Sequence, residues 1–263
     1  MPYQYILFDV SDGIATLTLN RPEKMNALLE EELLEIHDAV ARARVDAAAR
    51  VLILTGAGSA FCSGADLSRL ARQAAGGSAH ALKRRQDPVG WFMQDIYDFP
   101  KPTIAAVNGP AIGGGCSLAL VCDIRIASDQ AKLGMAWVAR GIPPDTGATW
   151  LLPRLVGPAR AAELAYTART LGAPEALLLG LFQTVVPHAE LPAAARDLAR
   201  AIAAQPPLAI ELAKRGMQRA LATTFAEALD FETFAQEAAF ASEDFKEAIA
   251  AFKEKRPPTY TGR

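Results

Sequence analysis

The first 55 residues alternate between apolar runs and turn signals in a pattern typical of strands and one amphipathic helix. Residues 5–10 and 15–19 are short apolar runs separated by the turn residues 11–13, which predicts an antiparallel hairpin. Apolar residues then recur at helical spacing through residues 28–43, and a second apolar run covers residues 51–55. We therefore expect a helix that leads into a strand.

The middle of the chain repeats this order of elements. Residues 103–107 form an apolar run that predicts a strand, and residues 124–127 and 132–134 predict two further short strands. Residues 68–98 are mixed in character and predict a helical insertion with a loop. Strand–strand–helix units at this spacing favour a layered or coiled α/β core over a doubly wound sheet.

The last hundred residues are rich in alanine and predict helices. The pair Pro206-Pro207 stands where a new helix can begin. Large apolar side chains recur in a tail that has little core of its own: Leu229, Phe234, Phe240, Phe245 and Phe252. They need a partner surface, and both docking on the main domain and packing between subunits remain open. We divide the chain into a core of residues 1–200 and a helical region of residues 201–263 for docking and oligomerisation.

Composition narrows the classes of partner. The chain has 263 residues, 51% of them hydrophobic, and a formal net charge of −2. Such a chain can bury one large core, and its weak charge favours neither nucleic acid nor an anionic membrane. Residues 102–122 carry no charge, but Asn108, Pro110 and a glycine run interrupt them, which disfavours a membrane-spanning helix. A small-molecule partner is the expectation.

The cysteines indicate a reducing compartment. Cys62, Cys116 and Cys122 are an odd number without the paired spacing of a zinc site. They are interpreted as small buried residues, and we expect neither a metal nor a separate cofactor. No apolar leader precedes Tyr3, so the expected location is the cytoplasm.

Two segments, residues 56–67 and 108–118, place small residues and glycines between an apolar strand and a predicted helix. Small residues let a ligand approach the backbone, and the N–H groups at a helix start can receive a developing oxyanion such as that of a thioester. Neither segment fits a dinucleotide-binding or P-loop pattern. Taken singly, each is more consistent with a tight turn that binds nothing, and only their joint occurrence favours a ligand site.

Together with two other motifs, these segments resemble the crotonase (enoyl-CoA hydratase/isomerase) superfamily in order and spacing over nearly the whole chain. The motifs are NRPEKMNAL at residues 20–28, FCSGADL at 61–67, residues 108–115 with Cys122-Asp123, and FKEKRP at 252–257. The resemblance implies a spiral of ββα units and a C-terminal helical trimerisation region. It further implies homotrimers that usually pair into hexamers. The implied substrate is an acyl-CoA, in which coenzyme A is part of the substrate and not a separate cofactor.

The resemblance also implies roles for residues at the matching motif positions. The backbone N–H groups of Ala65 and Gly114 would form an oxyanion hole for the thioester oxygen. The remaining substrate or coenzyme A contacts implied in this way are Met25, Ala27, Ser63, Asp66, Leu67, Ile112, Ser117, Trp137, Phe252 and Lys255. Of these, Phe252 and Lys255 would touch the nucleotide end of coenzyme A.

The hydratases that the chain resembles carry two glutamates that position a water molecule and move its proton. In this chain Ser117 and Trp137 occupy the matching positions. A serine hydrolase is disfavoured, since His37, His80 and His188 lie in no recognisable triad pattern. The remaining ionisable candidate is Asp145, interpreted either as the N-cap of a helix over residues 148–155 or as a general acid–base in the acyl pocket.

The sequence therefore favours isomerisation of an unsaturated acyl-CoA. One carboxylate can move a proton between two carbons, whereas hydration needs a second group to manage water. Superfamily isomerases of phenylacetate-derived and other unsaturated CoA esters resemble this pattern, with aspartate at the matching place. The pair Trp137 and Asp145 also resembles 4-chlorobenzoyl-CoA dehalogenase, which has a histidine near the position of Gly90. A hydratase-like activity and a non-catalytic acyl-CoA-binding protein stay open as well.

Overall fold

Nine strands form two sheets in the computed structural model, which describes residues 2–66 and 90–263. The larger sheet has six strands in spatial order: β1 Ile6–Ser11, β2 Ile14–Leu19, β3 Val51–Gly56, β4 Thr103–Val107, β6 Ile124–Ser128 and β9 Thr184–Val186. The smaller sheet has three: β5 Pro110–Ile112, β7 Lys132–Gly134 and β8 Thr170–Gly172. The predicted α/β class is confirmed.

Helices follow the strands along the described chain. They are α1 Glu30–Val45, α2 Trp91–Tyr97, α3 Gly114–Leu120, α4 Ala148–Val156, α5 Pro158–Tyr166, α6 Ala173–Leu178, α7 Leu191–Ala203, α8 Pro207–Ala220, α9 Phe225–Phe240 and α10 Glu243–Glu254. Short 3₁₀ turns occur at Pro22–Lys24, Val138–Arg140 and His188–Glu190. Most of the predicted insertion over residues 68–98 lies outside the described residues, and α2 forms its last part.

The predicted hairpin and the strands of the middle region are confirmed with shifts of a residue or two. β1 pairs antiparallel with β2, and β2, β3, β4, β6 and β9 then run parallel. The periodicity predicted that the first helix begins at Leu28. In the structure it begins at Glu30. Leu28 is instead held in extended backbone, because its N–H donates to Gly64 O at 2.8 Å and its carbonyl accepts from Asp66 N at 3.1 Å.

The inner strands β3 and β4 of the large sheet are buried on both faces, which explains their nearly continuous apolar runs. Along β3, Leu52 and Leu54 face the main core. Val51 and Ile53 face a second cluster that α7 covers with small and apolar side chains. This arrangement fixes the carboxyl ends of β3 and β4, from which the two glycine segments emerge.

The uncharged stretch over residues 102–122 forms β4, β5 and α3, as the strand–turn–helix interpretation predicted. None of the helices in residues 2–66 and 90–263 has the length and apolar character needed to cross a membrane. The three cysteines are unpaired and buried, and burial raises the pKa of each thiol to about 12.

The C-terminal helices keep large apolar side chains at the surface of the single chain. No residue of α9 is buried, and the exposed groups include Phe225, Leu229, Phe234, Phe240 and Phe252. The end of the chain folds back on the core, where Arg50 donates to Tyr260 O at 2.7 Å. The division at residue 200 stays a prediction.

Glu32, in the first turn of α1, is fully buried, with 0% of the residue exposed. Its Oε2 accepts a hydrogen bond from Leu29 N at 3.3 Å, while Oε1 has no partner among the described residues. Loss of water around the charged form raises the pKa of this carboxyl from 4.5 to about 8. Glu32 is therefore mainly protonated at neutral pH.

This burial predicts a pH-dependent stability. Between pH 4.5 and about 8, the unfolded chain loses the Glu32 proton that the folded chain keeps, so the free energy of unfolding should fall as pH rises. Glu32→Gln should remove this loss, which we expect to be on the order of 3 kcal/mol. Chemical unfolding at pH 5 and pH 8 measures it, and the exposed neighbour Glu31→Gln is the control. Equal pH dependence in Glu32→Gln and the parent would contradict the assignment.

Candidate active site

The two glycine segments lie directly against each other. Cys62 and Ala111 form a parallel bridge, and Ile112 N donates to Cys62 O at 2.9 Å. At the start of α3, a β-carbon on Gly115 would collide with the Cys62 carbonyl oxygen. Glycine at residue 115 is therefore what permits the close approach of the two backbones.

This approach brings the amides of Ala65 and Gly114 to one place. A β-carbon built on Gly64 would lie 3.4 Å from the Gly114 nitrogen. Gly114 is the first residue of α3, so its N–H has no acceptor within the helix. Across the described residues, the Ala65 N–H donates to no backbone carbonyl. Two available donors thus lie side by side.

Both residues line a cavity of about 360 Å³. Its walls come from the loop before α1, the two glycine segments, the start of α2 and the residues between β7 and α4. The described wall residues are Lys24, Ala27, Leu28, Ser63, Gly64, Ala65, Asp66, Gly90, Phe92, Gly113, Gly114, Trp137, Arg140, Ile142, Asp145 and Thr146.

Asp145 turns its carboxylate toward this cavity. Its Oδ1 accepts hydrogen bonds from Trp137 Nε1 at 2.8 Å and from Thr146 Oγ1 at 3.2 Å. Over the described parts of the chain, no donor reaches Oδ2. One oxygen is therefore fixed by the protein, and the other is available to a ligand.

The N-cap interpretation of Asp145 is wrong. The N-cap of α4 is Gly147, with φ of 89° and no side-chain cap. The carboxylate cannot serve the helix because Trp137 and Thr146 hold it on the cavity side, and only the Asp145 carbonyl accepts from Ala148 N, at 2.9 Å.

The residues at the hydratase glutamate positions differ in placement. Trp137 is only 2% exposed yet lines the cavity, so it packs in the core and forms part of the wall. Ser117 is fully buried and outside the described wall, and its hydroxyl donates to the Asp145 carbonyl at 3.3 Å. Ser117 therefore supports the backbone that carries the carboxylate.

Of the other predicted contacts, the structure brings Ala27, Ser63 and Asp66 to the cavity wall. Two more lie beside the wall without forming it. Met25 is 45% exposed, and its carbonyl accepts from Ser63 N at 3.0 Å. Ile112 belongs to the second glycine segment, and its side chain lies against Gly134 and not on the described wall.

The last three predicted contacts lie elsewhere. Leu67 falls outside the described residues. Phe252 is 84% exposed on α10, and Lys255 ends that helix with a left-handed backbone. Neither contributes to the cavity wall of the single chain.

Two buried asparagines, whose role the sequence patterns did not predict, hold the first glycine segment. Asn26 Nδ2 donates to Ala57 O at 2.9 Å and to Ala60 O at 2.8 Å. Asn108 Oδ1 accepts from Gly56 N at 3.1 Å. The signal in the sequence was a polar amide side chain within or beside an apolar stretch. Buried backbone N–H and C=O groups need hydrogen-bond partners, and such an amide can supply them.

An ion pair fixes the wall on the other side. Arg21 donates to Asp66 Oδ2 at 3.2 Å and also to the carbonyl oxygen of Ala27. Because both side chains are largely buried, the pair is expected to hold the loop before α1 against residue 66. Among the described residues, no group of three or more histidine, cysteine, aspartate or glutamate side chains is arranged to hold a metal.

Further wall residues were not predicted as contacts. Thr146 has a φ of 51°, which is rare for a β-branched residue and typical of functional sites. Phe92 and Arg140 reach the cavity from α2 and from a 3₁₀ turn. Their sequence neighbourhoods carry no local signal, because only the chain path brings them to the site.

Residues 9–263 match the profile of the enoyl-CoA hydratase/isomerase family. The chain belongs to this family. It is therefore an acyl-CoA enzyme by family, and the resemblance drawn from the four motifs is confirmed.

Some relatives in this family are named as hydratases and others as isomerases. A crotonyl-CoA hydratase of Syntrophomonas wolfei is 39% identical over 268 residues, covering 100% of both chains. A 1,2-epoxyphenylacetyl-CoA isomerase of Escherichia coli is 38% identical, covering 99% of both. The crystal structure of an enoyl-CoA hydratase from Bacillus anthracis superposes with a TM-score of 0.92 at 38% identity, covering 99% of this chain and 100% of the other. The crotonase-like fold is thereby confirmed, and the family leaves the reaction open.

Proposed function

We propose that this protein isomerises the double bond of an unsaturated acyl-CoA thioester. The Ala65 and Gly114 N–H groups serve as oxyanion donors, and Asp145 serves as the acid–base residue. The observation that carries the proposal is that the Asp145 carboxylate, held by Trp137, lines the same cavity as the two amides.

The proposed reaction needs no group beyond these. The thioester oxygen lies between the two amides, and Asp145 Oδ2 takes a proton from the α carbon of a 3-enoyl ester. The electron pair moves onto the oxygen, giving a dienolate that the two N–H groups stabilise. Asp145 then returns the proton to the γ carbon, which shifts the double bond to the 2-position and restores the carboxylate.

The wall chemistry favours this reaction over hydration. Asp66 and Asp145 are the carboxylates on the described wall, and Asp66 pairs with Arg21 at 3.2 Å. Among the described wall residues, Asp145 is therefore left as the proton carrier, with no second unpaired carboxylate beside it to direct water. The names of the hydratase relatives make hydration the first alternative, and both activities are assayed in the test.

Asp145→Asn is the direct test. It should lower the rate of 3-enoyl-CoA isomerisation by roughly 10² to 10⁴, because the amide cannot carry the proton. Affinity for a saturated acyl-CoA should change little, since asparagine keeps an oxygen for the Trp137 N–H. Isomerisation is followed by absorbance of the conjugated product, and affinity by titration calorimetry. Trp137→Phe is the control, which removes the hydrogen bond but keeps the carboxylate.

Each competing function has its own outcome in the same experiment. Undiminished isomerisation by Asp145→Asn would refute the role of Asp145. Hydration of crotonyl-CoA faster than isomerisation would support the hydratase. Halide release from 4-halobenzoyl-CoA would support the dehalogenase, which the Trp137–Asp145 hydrogen bond also fits. Binding without any turnover would support a non-catalytic acyl-CoA-binding protein.

Residue 114 gives a matched pair of variants for the oxyanion hole. A β-carbon at Gly114 would meet Leu28 Cδ1 at 3.8 Å and Gly64 Cα at 4.0 Å, which are ordinary contacts, so Gly114→Ala keeps the N–H without a clash. Gly114→Pro removes the N–H at a helix position that tolerates proline. We expect kcat to be roughly 10² to 10³ lower in Gly114→Pro than in Gly114→Ala. Equal rates in the two folded variants would exclude this amide as a donor.

We further propose that the protein is a homotrimer or a dimer of trimers in the cytoplasm. The exposed phenylalanines of α9 and α10 supply an unpartnered apolar surface. In this assembly Phe252 and Lys255 can reach coenzyme A bound to a neighbouring copy. The three unpaired cysteines fit a reducing compartment.

A charged residue in the apolar surface of α9 and α10 should lower the molecular mass of the oligomer. Phe234, 62% exposed on α9, is replaced by Glu, since a buried unpaired carboxylate opposes association. Light scattering after size exclusion should report three or six chains for the parent and fewer for Phe234→Glu. A monomeric parent would refute the assembly. The exposed Val45→Glu on α1 is the control.

A further inference from the structure

A second cavity of about 760 Å³ lies beside the candidate active site, between α2 and α4. Its walls are mainly apolar and aromatic, and include Trp91, Met93, Val121, Trp150 and Leu151. The reaction proposed above makes no use of this space.

The two cavities meet at Gly90 and Thr146, which line both of them. Thr146 donates to Asp145 Oδ1 at 3.2 Å, so the junction lies next to the proposed acid–base residue. Gly90 has a φ of 87°, and a β-carbon there would lie 2.8 Å from Thr146 Cα. Glycine at residue 90 therefore permits close packing against the Thr146 backbone, and a larger residue there would be strained and crowded.

Two polar side chains of the described walls, Asp95 and Gln94, are engaged by protein partners. Asp95 Oδ2 is 2.8 Å from His37 Nδ1, and Gln94 Nε2 donates to Asp98 at 2.8 Å. A charged or strongly hydrated tail would have to compete with these protein partners. An apolar tail would bury its surface against the aromatic walls, which strengthens binding by up to roughly fourfold for each methylene.

We propose that the second cavity receives the apolar distal part of the acyl group. The substrates are then acyl-CoA esters with a long alkyl or aryl extension beyond the reacting carbons. The inference rests on the proposed function in that it takes Asp145 to mark the position of those carbons. It goes further by assigning the substrate class.

Binding of saturated esters tests the cavity without requiring turnover. Butyryl-, decanoyl- and 4-phenylbutanoyl-CoA are titrated against the full chain by calorimetry. We expect the parent to bind decanoyl- or 4-phenylbutanoyl-CoA at least tenfold more tightly than butyryl-CoA. A preference for one of the two identifies an alkyl or an aryl extension.

Two variants locate the effect. Val121→Phe fills the cavity. Trp150→Ala removes part of the cavity wall, and because the Trp150 side chain is 38% exposed, the change should leave the core intact. Each should reduce the preference for the extended esters at least fivefold and leave butyryl-CoA affinity within about twofold, which also shows that the variant is folded. Tyr166→Ala, an exposed aromatic outside both cavities, is the matched control and should change neither.

Equal affinity of the parent for all three esters would overturn the inference, as would an unchanged preference in both variants. Because these esters carry no double bond, the result is independent of isomerisation. A protein that binds decanoyl-CoA by this pattern but fails to isomerise 3-enoyl-CoA would retain the cavity assignment and lose the proposed function.

Discussion

The structure depends on the contact between two backbone segments, residues 62–65 and 111–115. Their parallel bridge places the Cys62 carbonyl where a side chain at residue 115 would have to be. Only a glycine allows this distance, and the distance brings to one cavity two amides that have no backbone acceptor among the described residues. The buried asparagines and the Arg21–Asp66 pair stabilise the same contact from behind.

A second set of interactions holds Asp145 beside that contact. Trp137 packs in the core and donates to Oδ1, Thr146 donates to the same oxygen from a left-handed backbone, and Ser117 donates to the Asp145 carbonyl. The side chains at both hydratase glutamate positions thus contact Asp145. This is consistent with a site organised around one proton carrier, and it separates the question of fold from that of reaction.

The energetic cost of the arrangement is visible at α1. The helix begins late because Leu28 is held beside Ala65, and Glu32 is then buried with one oxygen unpartnered in the described structure. Natural proteins accept such local violations near functional sites when the surrounding packing compensates for them. The two large apolar clusters on either face of the sheet supply that packing.

The sequence alone determined the α/β class, the hairpin, the order of strands and the two glycine segments, because these follow from local periodicity and turn chemistry. Its four motifs also indicated the family. It did not determine whether Asp145 caps α4 or faces the cavity, since both interpretations fit the same local residues. The tertiary structure decided this, because Trp137 and Thr146 hold the carboxylate. Phe92 and Arg140 reached the site unpredicted for the same reason: convergence of distant chain segments is a property of packing, and no local pattern encodes it.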